Sequence, residues 1–116
     1  MEIKATVKRK TLTVGLCGEL DHHTAKEVKD LVENLIKNNR IKNLIFDFSD
    51  LSFMDSSGIG VIIGRYKLIQ SIGGKTAIAA PSKSVMKLLY MSGLNKIMEI
   101  YDSAETAIKT LQEEIS

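Results

Sequence analysis

The segment LIFDFSDLSFMDSSGIGVIIGRYKLI, residues 44–69, decides the fold. Its first five residues, 44–48, are almost all apolar and predict a strand that is buried on both faces. Residues 52–57 are mostly polar and predict a loop, after which apolar residues recur every three or four positions. That spacing is typical of a helix with one buried face, formed here by Ile59, Ile62, Ile63, Tyr66 and Ile69.

The same two periodicities continue on both sides of this segment. The predicted strands are 3–7, 12–16, 44–48, 76–80 and 97–101, and the predicted helices begin near residues 24, 58, 82 and 104. We therefore predict an α/β fold with the order β-β-α-β-α-β-α-β-α. In this fold four helices cover a mixed, mostly parallel sheet of about five strands. No linker or internal repeat interrupts the pattern, so residues 1–116 are predicted to form a single domain.

The composition excludes several classes of protein. Among 116 residues, 16 lysines and arginines face 14 acids, and a net charge of +2 is too small to indicate a nucleic-acid or membrane-surface binder. The one cysteine, Cys17, excludes a disulfide framework and is expected to be buried. With only two histidines beside it, the sequence predicts neither a metal nor a cofactor. No apolar run approaches the roughly 20 residues of a membrane span, and no signal peptide is recognisable, so we expect a cytoplasmic location.

Two loops should meet at one edge of the sheet, because the carboxyl ends of parallel strands lie together. These are residues 18–23 and 50–58. In the second loop, Asp55, Ser56 and Ser57 precede a helix, and any one of them can cap it by accepting a hydrogen bond from a backbone N–H. One cap needs only one of these three residues, so at least one serine hydroxyl is not required for it. A phosphate on such a hydroxyl would lie at the positive end of the helix dipole. The residues therefore allow two interpretations, a simple cap and a modifiable hydroxyl.

Two enzymatic interpretations are less well supported. The glycines within residues 58–64 lie inside a helix instead of in a dinucleotide-binding turn, and Gly-Lys-Thr at 74–76 leads into a strand, unlike a P-loop. Ser56, His22 and Asp21 come from loops at the same edge, but no Gly-x-Ser-x-Gly elbow surrounds the serine. The sequence therefore does not predict an enzyme.

A surface for docking another protein is the remaining interpretation. Phe53 and Met54 are apolar and flank the serines, while Val61 and Gly64 lie off the predicted inward face of the helix. Apolar and small residues around a hydroxyl that can gain charge are suited to a regulated protein interface.

Four short segments resemble the STAS-domain anti-sigma factor antagonists, and in particular the sporulation members of that family. Residues 18–24 read GELDHHT and residues 51–60 read LSFMDSSGIG, followed by GRYK at 64–67 and MSGL at 91–94. The resemblance extends over nearly the whole chain and implies a single STAS domain.

The resemblance implies a switch protein. In that family the unphosphorylated antagonist binds an anti-sigma factor that is also a serine kinase, which releases the sigma factor. The kinase phosphorylates one serine of the antagonist, and a serine phosphatase reverses this. By motif position the acceptor is Ser56, with Ser57 as the alternative. An antagonist in another sigma pathway, such as general stress signalling, is the second possibility.

The resemblance and the docking interpretation together give a set of expected partner-binding residues. We expect a monomer when the chain is free, with no direct contact to nucleic acid or membrane. The expected partner-binding residues are Asp21, His22, Met54, Asp55, Ser57, Gly58, Val61 and Gly64.

Overall fold

The computed structural model describes the backbone of residues 1–115 and the side chains of residues 1–113, and this part of the chain forms six strands and four helices. Residue 116 of the predicted domain lies outside the described residues. The strands are β1 (Glu2–Lys8), β2 (Thr11–Leu20), β3 (Asn43–Asp47), β4 (Leu51–Met54), β5 (Thr76–Ala79) and β6 (Glu99–Tyr101). The helices are α1 (Ala25–Asn38), α2 (Ser56–Ser71), α3 (Lys83–Met91) and α4 (Ala104–Ile115), with a short 3-10 helix at Leu94–Lys96.

The sheet has the strand order β1-β2-β3-β5-β6, and β4 pairs with β2 outside this row. β1 is antiparallel to β2, and the other pairings are parallel. The predicted α/β architecture, with four helices on a mixed and mostly parallel sheet, is therefore confirmed. The hairpin turn between β1 and β2 contains Arg9 at φ +49° and Lys10 at φ +66°. Asn-Gly is the pair that most often adopts these conformations in a two-residue hairpin turn. Because Arg-Lys occupies the turn here, its usual sequence signal is missing.

The strand β4 corrects the predicted element order. The sequence predicts a loop over residues 52–57, but the first part of this stretch extends a strand that runs parallel to the end of β2. β4 has only four residues, of which the outer two are buried and the inner two exposed, so no alternation marks it. Because its formation depends on pairing with a distant strand, local patterns do not reveal it.

The two faces of the sheet carry separate cores. Side chains from α1, α2 and α3 join Leu44, Phe46 and Ile78 in the larger core, whereas α4 packs on Ile45 and its neighbours on β5. Alternate residues of β3 thus serve opposite faces, as the period of a strand requires. Cys17 lies on β2 beyond the smaller core and is exposed, so the predicted burial of this thiol is wrong.

A buried ion pair joins α1 to α2. The Arg65 side chain is 9% exposed, and its Nη2 atom lies 3.1 Å from Oε1 of Glu33, which is 28% exposed. The Nε and Nη1 atoms of Arg65 are buried and have no hydrogen-bond partner among the described residues. Glu33 is therefore the counter-charge that makes burial of this guanidinium tolerable.

We predict that removing the carboxylate is more harmful than removing the guanidinium. Glu33→Gln leaves a buried charge without a counter-charge and should lower the free energy of unfolding by about 3 kcal/mol. Arg65→Met replaces the buried charge with an apolar chain of similar length, while Glu33 can regain water, and should cost less than about 1 kcal/mol. Urea denaturation of both variants tests this. An Arg65→Met variant less stable than Glu33→Gln would contradict the prediction.

Candidate functional site

The carboxyl ends of β2 and β4 lie side by side. Leu20 is paired with Met54, and the Asp55 N–H donates a hydrogen bond to the Leu20 carbonyl at 3.3 Å. The structure therefore brings together the two loops that the sequence places at one edge of the sheet. The residues that leave the strands here are Asp21 after β2 and Asp55 after β4.

The loop after β2 is held by its own side chains. Oδ1 of Asp21 accepts hydrogen bonds from the N–H groups of His23 at 2.9 Å and Thr24 at 3.2 Å. The Thr24 hydroxyl donates to the Glu19 carbonyl at 2.8 Å. Desolvation raises the pKa of Asp21, but the hydrogen bonds that its carboxylate accepts from His23 and Thr24 outweigh desolvation and bring the pKa below the ordinary 3.8. Beside them, His22 is exposed.

The start of α2 decides between the two interpretations of the serines. Asp55 has an extended backbone, and its Oδ1 accepts a hydrogen bond from the Ser57 N–H at 2.8 Å. Asp55 therefore caps the helix. Ser56 is exposed and Ser57 is half-buried, and neither hydroxyl makes a hydrogen bond to any residue that the structure describes. The Ser56 hydroxyl is thus left on the surface without a structural task.

Three of the expected partner-binding residues lie beneath this surface. Met54 is 6% exposed and Val61 5%, and Gly58 is buried as well. A Cβ on Gly58 would overlap the Cγ of Met54 and lie 2.8 Å from its Sδ. The expectation that Val61 lies off the inward face is wrong, because α1 packs along α2 and covers a second side of it. These residues shape the site from below.

The outer side of α2 carries two glycines in line with the serine. Ser56, Gly60 and Gly64 are spaced by four residues, which places them along one side of a helix. A Cβ at Gly60 or Gly64 would meet no atom within 4 Å. Gly60 is absent from the expected partner-binding residues, although it lies on the same side of the helix as Ser56 and Gly64.

The geometry does not form a hydrolase triad. The Asp21 carboxylate binds the backbone of its own loop, and no hydrogen bond joins His22 to Ser56 in the described part of the chain. Residues 1–113 contain no cluster of three or more His, Cys, Asp or Glu side chains placed to hold a metal ion. None of the described helices is both long and apolar enough to span a bilayer.

Comparison with known proteins defines the class. The profile of the STAS domain family matches residues 2–107. An anti-sigma F factor antagonist of Paenibacillus polymyxa is 43% identical over 112 residues, which cover 97% of this chain and 96% of that relative. The antagonist of the same name from Lysinibacillus sphaericus is 35% identical over 92 residues, 79% of each chain. The chain therefore belongs to the STAS family.

Solved structures narrow the resemblance to the anti-sigma factor antagonists. The unphosphorylated form of the antagonist SpoIIAA has a TM-score of 0.78 at 29% identity, covering 96% of this chain and 98% of its own. The phosphorylated form of the Bacillus protein SpoIIAA has a TM-score of 0.76 at 32% identity, covering 94% and 98%. The resemblance stated from the sequence motifs is thus confirmed.

We predict that the loop after β2 loosens in acid with a midpoint below pH 3.8. Because the folded-state pKa of Asp21 is lowered, its contribution to loop stability is present above the unfolded pKa and is lost as the pH falls through the folded value. The amide chemical shifts of His23 and Thr24 should report this transition. Asp21→Asn keeps an acceptor oxygen and should remove the pH dependence while preserving the turn. A midpoint at or above 3.8 would show that the hydrogen bonds do not form.

We predict opposite effects of alanine at two neighbouring glycines. Gly58→Ala should lower the free energy of unfolding by roughly 1–3 kcal/mol, because the new methyl group must displace Met54 in a packed core. Gly60→Ala meets open space in an exposed helix and should raise it by roughly 0.5–1 kcal/mol. Chemical denaturation of the two variants measures both values. Destabilisation by both alanines would refute the assignment of inner and outer sides to α2.

Proposed function

We propose that this anti-sigma factor antagonist is controlled by phosphorylation of Ser56. The unphosphorylated chain binds an anti-sigma factor that is also a serine kinase, and this binding releases a sporulation sigma factor. The kinase then phosphorylates Ser56, which ends binding, and a serine phosphatase restores the active form. The observation that carries the proposal is the exposed Ser56 hydroxyl, which has no structural partner because Asp55 caps the helix.

The position of Ser56 supports reversible modification without refolding. As the first residue of α2, it lies at the positive end of the helix dipole, where a phosphate is tolerated. The cap and the neighbouring turn use the carboxylates of Asp55 and Asp21 and do not involve the serine hydroxyl. A phosphate therefore breaks no hydrogen bond of the free domain.

The effect of the phosphate falls on the partner. Phosphorylation adds a charge of about −1.5 to −2 to a surface that already contains two aspartates. An interface that covers Ser56 would have to desolvate this charge or meet it with new cations, which weakens docking. In the proposed interface, Asp21, His22, Asp55 and Ser57 surround the acceptor. Met54, Gly58 and Val61 support this surface from beneath, and Gly64 extends it along α2.

The proposed partners supply the chemistry. The anti-sigma factor provides ATP and catalysis, so the chain is a substrate and ligand without enzymatic activity of its own. Because a sigma factor acts with RNA polymerase, we propose a cytoplasmic location. We also propose that the free form is a monomer. The chain then contacts neither nucleic acid nor membrane directly.

Control of general stress signalling is the second candidate pathway. The anti-sigma-B factor antagonist of Bacillus subtilis is 27% identical over 111 residues, covering 94% of this chain. The higher identity of 43% to an anti-sigma F factor antagonist favours the sporulation pathway. Binding measurements against both kinds of anti-sigma factor would separate the two.

We predict that Ser56→Ala abolishes phosphorylation of the chain, while the variant still binds the anti-sigma factor kinase. Mass spectrometry after incubation with the anti-sigma factor kinase and ATP should find no phosphate on this variant. Ser57→Ala should still be phosphorylated on Ser56, because Ser57 is half-buried and Ser56 is the exposed acceptor. Ser56→Asp should weaken binding to the kinase by about tenfold or more, since the added charge stays in the interface.

Ser49→Ala is the matched control, because Ser49 is exposed and lies outside the proposed interface. It should behave as the unmodified sequence in both assays. Full phosphate uptake by Ser56→Ala would transfer the site to Ser57 or end the proposal.

A further inference from the structure

The charges of the chain are divided unevenly along its length. Residues 56–98 contain no aspartate or glutamate, although the whole chain has 14. The net charge of the whole chain is small, but the segment that includes α2, β5 and α3 is basic. The cations of this segment are Arg65, Lys67, Lys75, Lys83, Lys87 and Lys96.

Helix α3 presents the clearest part of this basic segment. Its inward residues Val85 and Leu89 are buried in the larger core. On the other side, Lys83, Lys87 and Met91 are spaced by four residues and are exposed, with Tyr90 beside Met91. We call Lys83, Lys87, Tyr90 and Met91 the α3 outer face. No acid in the described residues forms an ion pair with either lysine.

The apolar end of this face is unusually open. Met91 is 75% exposed and Tyr90 is 58% exposed, more than any other large hydrophobic residue among those described. A tyrosine and a methionine are residues that protein interfaces favour, because the ring supplies a rigid contact and the thioether adapts its shape. The α3 outer face thus combines an apolar contact at one end with positive charge at the other.

Lys83 does not serve the stability of the free helix. Lys83 is the first residue of α3, and the first turn contains no acid. A cation at a helix N-terminus opposes the helix dipole, which favours negative charge at that end. The Ser82 hydroxyl accepts a hydrogen bond from the Val85 N–H at 3.3 Å, so the cap does not involve Lys83. The free helix therefore gains no favourable dipole interaction from this charge.

We propose that the α3 outer face is a second docking surface, and that it binds an acidic amphipathic segment of a partner protein. Carboxylates of the segment would pair with Lys83 and Lys87, and its apolar side chains would cover Tyr90 and Met91. Charge complementarity and the mixed character of the face favour a protein segment over a lipid surface or a nucleic acid. Two lysines supply little of the charge that a phosphate backbone or anionic bilayer requires.

The observations behind this proposal do not involve Ser56. The α3 outer face belongs to a different helix from Ser56, and its charge and exposure are those of the chain without a phosphate. Failure of the phosphorylation proposal would therefore leave this one standing, and the reverse also holds.

The test uses a synthetic 18-residue helical peptide with glutamates on one face and leucines on the other, added to the full, isotopically labelled chain. Amide chemical shifts should change along α3, with binding that weakens as salt is added. The double variant Lys83→Glu/Lys87→Glu should bind at least tenfold more weakly. Because glutamate at the first position suits the helix dipole, this variant should melt at an equal or higher temperature, which separates lost binding from unfolding.

Lys29→Glu/Lys37→Glu is the matched control, because it makes the same change of charge on exposed positions of α1. Its affinity for the peptide should stay within twofold of the unmodified chain. Met91→Ser should weaken binding without altering its salt dependence, as expected for the apolar end.

Three results would overturn the proposal. One is equal loss of binding in the α1 control, which would indicate attraction by net charge alone. Another is a map of chemical shifts that avoids α3. The last is binding to phosphatidylglycerol vesicles or single-stranded DNA that depends on Lys83 and Lys87 while the acidic peptide does not bind.

Discussion

The pairing of β4 with the second half of β2 is the constraint on which the functional edge depends. β2 pairs with β3 along residues 11–15 and with β4 from Gly18 to Leu20, and the register of this second pairing shifts between Gly18 and Glu19. Gly18 has φ +119°, a conformation that side chains disfavour, so glycine suits the position next to this irregularity. The Gly18 N–H donates to the Asp50 carbonyl at 3.2 Å, and the Ser52 hydroxyl donates to the Gly18 carbonyl at 2.9 Å. These two hydrogen bonds fix the start of the short pairing, and the bond from the Asp55 N–H to the Leu20 carbonyl fixes its end.

The two aspartates of the site follow from this arrangement. Each strand ends at an aspartate that accepts hydrogen bonds from the backbone of the next turn, Asp21 after β2 and Asp55 after β4. Both carboxylates therefore already stabilise the loops of the free domain, whatever they contact in a complex. Because Asp55 caps α2, the hydroxyl of Ser56 is not needed for the cap and stays at the surface. A hydroxyl placed in this way could gain charge while the loops around it keep their hydrogen bonds.

The periodic parts of the structure could be predicted from the sequence, and the parts that depend on distant contacts could not. The helices have clear periods, β2 alternates and β3 is a continuous apolar run, and the edge that unites the two loops follows from parallel topology. β4 has four residues without alternation, so its pairing is decided by β2. Val61 looks outward from a single apolar stripe, but α1 covers a second side of the helix. Arg65 is buried for the same reason and relies on Glu33.

The glycines of α2 give a physical reason to regard its outer side as a contact surface. Glycine inside a helix costs roughly 1 kcal/mol relative to alanine, because it loses more backbone entropy on folding. At Gly58 the packing of Met54 explains the absence of a side chain. At Gly60 and Gly64 nothing within the domain occupies the space, so the free protein gains nothing from their small size. A partner whose backbone lies close to the helix would gain from both, and these positions continue the line that begins at Ser56. Glycine at these two positions would then lower the stability of the free domain and allow a partner to approach the helix backbone closely.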